Sequence, residues 1–310
     1  MRAVSVTSFG GPDVLEVTDV PVPALGKGKV RVRVAAAPVH PLDLVVRSGG
    51  MGPRLPQGPR YVLGADFAGT VAAVGPGVCG FTFGQSVVGM SNWPETKAGA
   101  QAEFVTLPEA QLAPAPTGVQ LATAATLPLN ALTAVQALDI LGLPEGSRLA
   151  VTGAGGGVGG FAVELARGRG LDVVGVASAQ DGKFLTRLDA TFVPRSDDPA
   201  AALRKAVPDG VDGLLDCAAI GAPVLAAVRD GGTFVAVKPP APPAAERDIR
   251  VGLVLARADA AQLRELVALV EAGRLTLREP RTLPLEKAAE AHTAFAAGGL
   301  RGGVVLVPHE

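Results

Sequence analysis

The 310-residue chain is poor in aromatic side chains, in cysteine and histidine, and in net charge. Phe, Trp and Tyr make up 4% of it, with Tyr61 the sole tyrosine and Trp93 the sole tryptophan, so a pocket built on stacking would have to use Phe67, Phe81, Phe83 or Trp93. Cys79 and Cys217 are too few for a disulfide framework or a structural zinc site. The net charge is −1, which gives no electrostatic case for nucleic acid or a membrane surface. No run of about 18 uninterrupted apolar residues occurs, which argues against a membrane-spanning helix. The opening MRAVSVTSFGG lacks a charged-then-apolar leader, and a cytoplasmic location is expected.

What is present is a globular balance: 48% hydrophobic and 18% charged residues, with 40 glycines and 26 prolines that punctuate periodic segments. The length allows about two domains, each with a sizeable core. The chain is organised around Ser147 to Gly170, SRLAVTGAGGGVGGFAVELARGRG. Leu149-Ala150-Val151 reads as a short buried strand, and Phe161, Val163, Leu165 and Ala166 recur at roughly helical spacing. Between them lies a turn built almost wholly of glycine. Strand, glycine turn and helix together are the context of a dinucleotide-binding fingerprint. Ala154, Gly156 and Gly159 take its three positions, alanine replacing the first glycine. Gly156 lets the backbone approach a diphosphate, and Gly159 lets helix and strand pack closely. Helix-start amides near Gly157 would hold the phosphates. The expected diphosphate seat is therefore Ala154, Gly155, Gly156, Gly157, Val158 and Gly159.

The next strand, Leu171 to Ser178, ends without the acidic residue that usually receives an NAD ribose. The nearest carboxylate, Asp181, comes three residues late. Ser178 and Lys183 are instead placed to meet a 2′-phosphate, so NADPH is the expected cofactor. Lys183 and Arg187 have a plainer reading as solvated helix charges.

Taken in order, residues 1 to about 120 are β-rich. Val4-Ser5-Val6 and Val30 to Val34 alternate at strand period, and Gly64 to Gly75 reads as a strand pair or one bent strand. Gln85 to Met90 and Ala102 to Leu107 complete the set. Leu121 to Leu143 is helical, with Pro128 at a break or first turn. Strands at 148–153, 171–177, 191–194, 213–216 and 232–237 then alternate with helices, which implies a doubly wound parallel sheet. Helices are expected at Ala260 to Ala272 and Glu286 to Ala297, and a last strand at Val304 to Val307.

HPLDLVVRSG (40–49), LGADFAGTVAAVGPGV (63–78), GAQAEFV (99–105), LPLNALTAVQAL (127–138), the glycine turn and PLEKAAEAHTAFAAGGLRGGVVL (284–306) occur in an order that resembles the zinc-independent quinone oxidoreductases of the medium-chain dehydrogenase/reductase superfamily. The resemblance runs along nearly the whole chain. It implies an α/β fold: a GroES-like (chaperonin-10-like) β-rich domain, residues 1–120 and 275–310, plus a Rossmann NADP-binding domain, residues 121–274. His40 stands where that family has asparagine, Gln101 where it often has tyrosine, and Gly303 where it often has lysine or arginine. Zinc-dependent relatives place a cysteine near Val39 and a His-Glu pair after a glycine. Here Val39–His40 and Ala65–Asp66 occupy those places, so no metal is expected.

Without a Lewis acid, the natural hydride acceptor is an electron-poor quinone or α,β-unsaturated carbonyl, with the cofactor carrying the chemistry. Three residues are catalytic candidates: His40, Asp43 and Asn130. His40 is either a proton donor or a histidine satisfied within its loop. Asp43 and Arg47, four apart, read more readily as a loop-shaping ion pair than as direct participants. Asn130 and Thr133 lie on the segment that the resemblance sets beside the nicotinamide; Thr133 either joins the cofactor site or back-bonds within its helix. Cys217 and Ala218 follow the strand ending at Asp216, where open sheets bind ligands, and are expected as cofactor-site wall. Two alternatives share this framework: an enoyl-thioester reductase, and a non-catalytic NADPH-binding protein. A homodimer is expected through the edge of Thr233 to Val237.

Overall fold

The protein is described by a computed structural model at residues 1–52, 60–92, 96–237 and 242–309; Trp93 and residues 238–241 of the proline-rich loop lie outside the described residues. Two compact units divide the chain, Met1–Leu129 with Arg257–Glu310, and Asn130–Ala256.

In the first unit, β1 (Arg2–Val6) pairs antiparallel with β2 (Leu15–Asp19) and β4 (Tyr61–Val62). β3 (Lys29–Pro38) is the organising strand. Its KVRVRV repeat puts Val30, Val32 and Val34 on one buried face at the two-residue period of a strand. Antiparallel partners β5 (Asp66–Val74) and β7 (Phe104–Pro108) lie against it. β6 (Ser86–Met90) continues from β5, and β8 (Leu112–Pro114) from β6. The Gly64 to Gly75 stretch thus holds one strand, bent where its register against β3 shifts twice. Phe67 and Phe81 fill the core here with Leu112 and Val105, while Phe83 is exposed, so these aromatics do not form the stacking pocket that the sequence had offered. The short helices α1 (Pro41–Arg47) and α2 (Leu121–Ala124) complete this part.

The second unit is a doubly wound sheet. α3 (Pro128–Leu141) begins at the proline, as expected of a residue that lacks an N–H. The segment Leu121–Leu141 is long and apolar enough to cross a bilayer, but 61% of its apolar 18-residue window is buried within the protein, as in a core helix. Then follow β9 (Arg148–Thr152), α4 (Gly157–Gly168), β10 (Asp172–Ala177), α5 (Gly182–Arg187), β11 (Thr191–Pro194), α6 (Pro199–Ala206), β12 (Val211–Asp216), α7 (Ala222–Leu225), β13 (Val228–Ala236) and β14 (Arg250–Leu253). All five strand pairings are parallel, in the order β11-β10-β9-β12-β13-β14. Relabelled by sequence this is 3-2-1-4-5-6, the dinucleotide-binding order, with its reversal between β9 and β12. The run Thr233 to Val237, expected at a sheet edge, lies largely within β13 between two neighbours. β14 takes the edge instead.

The chain then returns to the first unit through α8 (Ala260–Glu271). Asp259 caps this helix by accepting from the amides of Ala261 (2.8 Å) and Gln262 (3.0 Å). Its Leu263, Leu266 and Val267 stripe is buried, and the helix packs on β8, with Glu271 accepting from the Thr117 amide at 2.8 Å. Residues 257–274 therefore group with the first unit and not with the Rossmann unit where the sequence had put them. Finally β15 (Arg281–Pro284), α9 (Ala288–Ala297) and β16 (Val304–Val307) close the unit, β16 pairing antiparallel with β3.

Candidate active site

The glycine turn of the second unit explains its own sequence. Gly153, directly after β9, adopts φ +60°, a left-handed conformation that disfavours any side chain. The tight-turn role thus falls one residue before the fingerprint, and its first position is free to be alanine. Ala154 is fully buried, 3.1 Å from where a Cβ on Gly175 of β10 would stand. Gly156 is the N-cap of α4 and, as a glycine, offers the helix start no capping side chain of its own. A Cβ on Gly159 would collide with the Gly153 carbonyl, so helix and strand pack through bare backbone. One on Gly157 would lie 3.1 Å from the Asn130 amide, which places Asn130 over the helix start. Thr133 is buried in the same helix as Asn130.

Beside this turn run Cys217 and Ala218, about 3.4 Å from a Cβ position on Gly153. They are held by a latch that the sequence reading had passed over. The Thr152 hydroxyl donates to Asp216 at 2.6 Å, and the Ala218 amide donates to that hydroxyl at 3.1 Å. The other Asp216 oxygen accepts from the Gly221 amide at 2.8 Å. Asp216 is 1% exposed, so this network ties the carboxyl ends of β9 and β12 together at the reversal point. A glycine-rich turn leading into a helix whose N-cap carries no side chain fits a dinucleotide diphosphate.

The end of β10 differs from expectation. Ser178 donates its hydroxyl to Asp181 at 2.6 Å, so it is engaged with a carboxylate and not set aside for a phosphate. A single 3-10 turn, Ala179–Asp181, folds the chain back, and the Asp181 carboxylate fills the space that a Cβ on Gly155 would need. The residue dismissed as three positions late therefore reaches the turn. Lys183, on the first turn of α5, is exposed, and Arg187 donates to the Lys183 carbonyl at 3.2 Å.

The first unit carries a buried polar cluster. His40, 4% exposed, pairs through Nε2 with Oδ1 of the fully buried Asp66 at 2.7 Å. The other Asp66 oxygen accepts from the Leu129 amide at 2.9 Å. Burial presses the His40 pKa down, but the charge and hydrogen bond of Asp66, with the charge of Asp43, more than reverse this and leave it raised. Asp66 was visible in LGADFAG, as a carboxylate among apolar residues, yet nothing local named its partner. Asp43 does not form the expected pair with Arg47. As the third residue of α1 it turns back to the helix start, accepting from the His40 amide at 2.8 Å and the Gly64 amide at 3.0 Å. Burial lifts its pKa to about 6, against the opposing pull of His40 and those two amides. Gln101, fully buried, donates to the Pro38 carbonyl at 3.1 Å and to Asp43 at 3.4 Å. Asp43 is thus a support for the His40 loop. Gly303 has φ +74°, which accounts for glycine where a cation is common.

Turn and fold together define the class: a pyridine-nucleotide oxidoreductase built from a GroES-like unit and a Rossmann unit. Comparison with known proteins narrows it. Residues 26–117 match the Alcohol dehydrogenase GroES-like domain family, and residues 188–306 match the Zinc-binding dehydrogenase family. The chain is 30% identical to the mouse (Mus musculus) quinone oxidoreductase over 99% of its own length and 97% of the relative's. It is 28% identical to a tomato (Solanum lycopersicum) 2-methylene-furan-3-one reductase, over 99% of this chain and 79% of that one. A crystal structure of an NAD-dependent alcohol dehydrogenase superposes with a TM-score of 0.86 at 34% identity, each chain fully covered. The chain belongs to the quinone oxidoreductase family of the medium-chain dehydrogenase/reductase superfamily, and it is an oxidoreductase. Among the described residues, no group of three or more His, Cys, Asp or Glu side chains is arranged to hold a metal.

Proposed function

We propose that this enzyme is a metal-free reductase that uses a reduced pyridine nucleotide to reduce quinones or α,β-unsaturated carbonyls. The observation that carries the reading is the Gly153–Gly159 turn, where close backbone packing and a glycine N-cap suit the approach of a diphosphate. The mouse and tomato relatives, named for a quinone and a methylene-furanone, support the two acceptor classes. A bound reduced nicotinamide supplies the hydride.

The chain's residues have the remaining tasks. Negative charge develops on the acceptor oxygen and has to be met by a proton. His40, with its proton affinity raised by Asp66, gives that proton, and Asp66 steadies the ring in both protonation states. The acceptor gains one hydride and one proton and leaves as the hydroquinone or the saturated carbonyl. Asn130 and Thr133 orient the nucleotide, and Asp43 fixes the backbone of His40. Metal-free action is supported by the donor set: His40 Nε2 is committed to Asp66, and both Asp66 oxygens are engaged.

NADPH, expected from Ser178 and Lys183, keeps Lys183 as its support, since the Ser178 hydroxyl is committed to Asp181. Similarity to an alcohol dehydrogenase that is NAD-dependent favours the unphosphorylated nucleotide. A homodimer remains part of the proposal, with β14 as the pairing edge and Leu255, 75% exposed, next to it. Cys79 and Cys217, neither of them in a disulfide, suit a reducing, cytoplasmic setting.

Oxidation of NADH and NADPH with a panel of quinones, enones and enoyl-thioesters tests the reading. Steady turnover with quinones or enones is expected. Turnover confined to enoyl-thioesters would move the chain to that reductase class, and nucleotide binding without any turnover would make it a binding protein.

A further inference from the structure

Resting on the pyridine-nucleotide reading above, we infer that Thr152 and Asp216 are positioning residues: they hold the loop 217–221 in a strained form that completes the nucleotide site, and so govern nucleotide affinity without touching the reacting atoms. Three observations converge. Ala219, in the middle of this loop, has φ +58°, a left-handed conformation that a side chain disfavours and that only the surrounding structure can impose. The two hydrogen bonds that impose it land on either side of it. The Ala218 amide donates to the Thr152 hydroxyl at 3.1 Å, and the Gly221 amide donates to Asp216 at 2.8 Å. The loop also abuts the glycine turn through backbone, since a Cβ on Gly153 would stand 3.4 Å from the Ala218 amide nitrogen.

The Thr152 hydroxyl has a double task. Asp216 takes its proton in a 2.6 Å hydrogen bond, which turns a lone pair toward the Ala218 amide. Thr152 is 0% exposed and Asp216 1%, so bulk water does not stand in for a lost bond. Ala218 is exposed, and Cys217, Ala219 and Ile220 are half-buried, so the outer side of the loop is open to a ligand. A connection that only joined β12 to α7 would need no left-handed alanine, because glycine satisfies the same backbone without strain. Strain kept in an open loop beside a diphosphate seat marks a shape held for a ligand.

Isothermal titration of the full-length protein with NADH and with NADPH tests this, beside thermal melting and steady-state kinetics with one quinone. Thr152→Val keeps the side-chain shape and removes both bonds of the hydroxyl. For the nucleotide that wild type binds more tightly, its Kd and KM are expected to rise about tenfold, while kcat at saturating nucleotide stays within about twofold. Thr152→Ser restores the hydroxyl and is expected to bind within about threefold of wild type. Ala219→Gly relieves the strain and frees the loop, so the melting temperature should hold or rise while Kd rises about threefold or more. A purely structural role would move melting and affinity together. Wild-type affinity in Thr152→Val or in Ala219→Gly would overturn the inference, as would a Thr152→Ser variant as weak as Thr152→Val. Should Thr152→Val fail to fold, Ala219→Gly still decides. If wild type binds neither nucleotide, the proposed function falls with the inference. If wild type binds and reduces a quinone while the variants match it, the function stands and the inference falls.

Discussion

Replacing His292 by leucine is expected to make the chain more resistant to mild acid, by an amount its surroundings fix. His292 lies in α9, is 0% exposed, and has no hydrogen-bond partner on either ring nitrogen among the described residues. Burial, and then the charge of Arg47, lower its pKa to about 3. Arg47 itself is 9% exposed, with Nε and Nη1 unpartnered among the same residues. In the unfolded chain a histidine titrates near 6.5. A group whose pKa falls on folding contributes stability that is present above its unfolded pKa and is lost as the pH drops toward the folded value. Here that window runs from about 6.5 down to about 3. Each pH unit inside it costs about 1.4 kcal/mol, so at pH ~4.5 the loss is roughly 2.7 kcal/mol. That is a large share of a typical stability of about 5–15 kcal/mol. Urea unfolding followed by circular dichroism at about pH 7.5 and pH 4.5 measures it. The fall between the two should be smaller in His292→Leu than in wild type by roughly 2–3 kcal/mol. Differences in packing cancel in this comparison, as do contributions of His40 and Asp43, which titrate in both proteins. Parallel losses in the two proteins would refute the reasoning and place the proton elsewhere.

Asp66→Asn removes the charge that raises His40, so kcat/KM for quinone reduction should fall by about a hundredfold and the basic limb of its pH profile should move to lower pH. An unmoved profile would exclude His40 as the proton source. Gly159→Ala drives a methyl into the Gly153 carbonyl; nucleotide Kd should rise at least about tenfold, with a stability loss of about 1–3 kcal/mol, both measurable by titration and thermal melting. Wild-type binding in that variant would deny the close backbone approach. Leu255→Glu, next to the β14 edge, should convert a dimer to a monomer in light scattering at micromolar concentration; a monomeric wild type would remove the dimer altogether.

By itself, the sequence determined every feature carried by local pattern. Strand, glycine turn and helix at 148–168 were legible because two-residue and 3.6-residue periods, and the steric freedom of glycine, act within a few residues. The alternation behind the parallel sheet was legible for the same reason, as was the α3 start at Pro128. Tertiary structure decided whatever depends on which surface meets which. The stripe of α8 shows that one face is buried, not that β8 covers it, so the grouping of α8 with the first unit was not legible. The run in β13 looked like an edge because β14, RVGL beyond a proline-rich loop, carries too short a pattern to announce itself. His40 and Asp66 are 26 residues apart and meet only through the folding of the sheet, and Asp43 caps its own helix instead of reaching Arg47. Asp181 is the sharpest case: counting positions set it three residues late, and one 3-10 turn brings its carboxylate beside Gly155. Spacing along the chain reports distance in space only while the backbone keeps a single period, and the side chains proposed for this site sit where the period breaks.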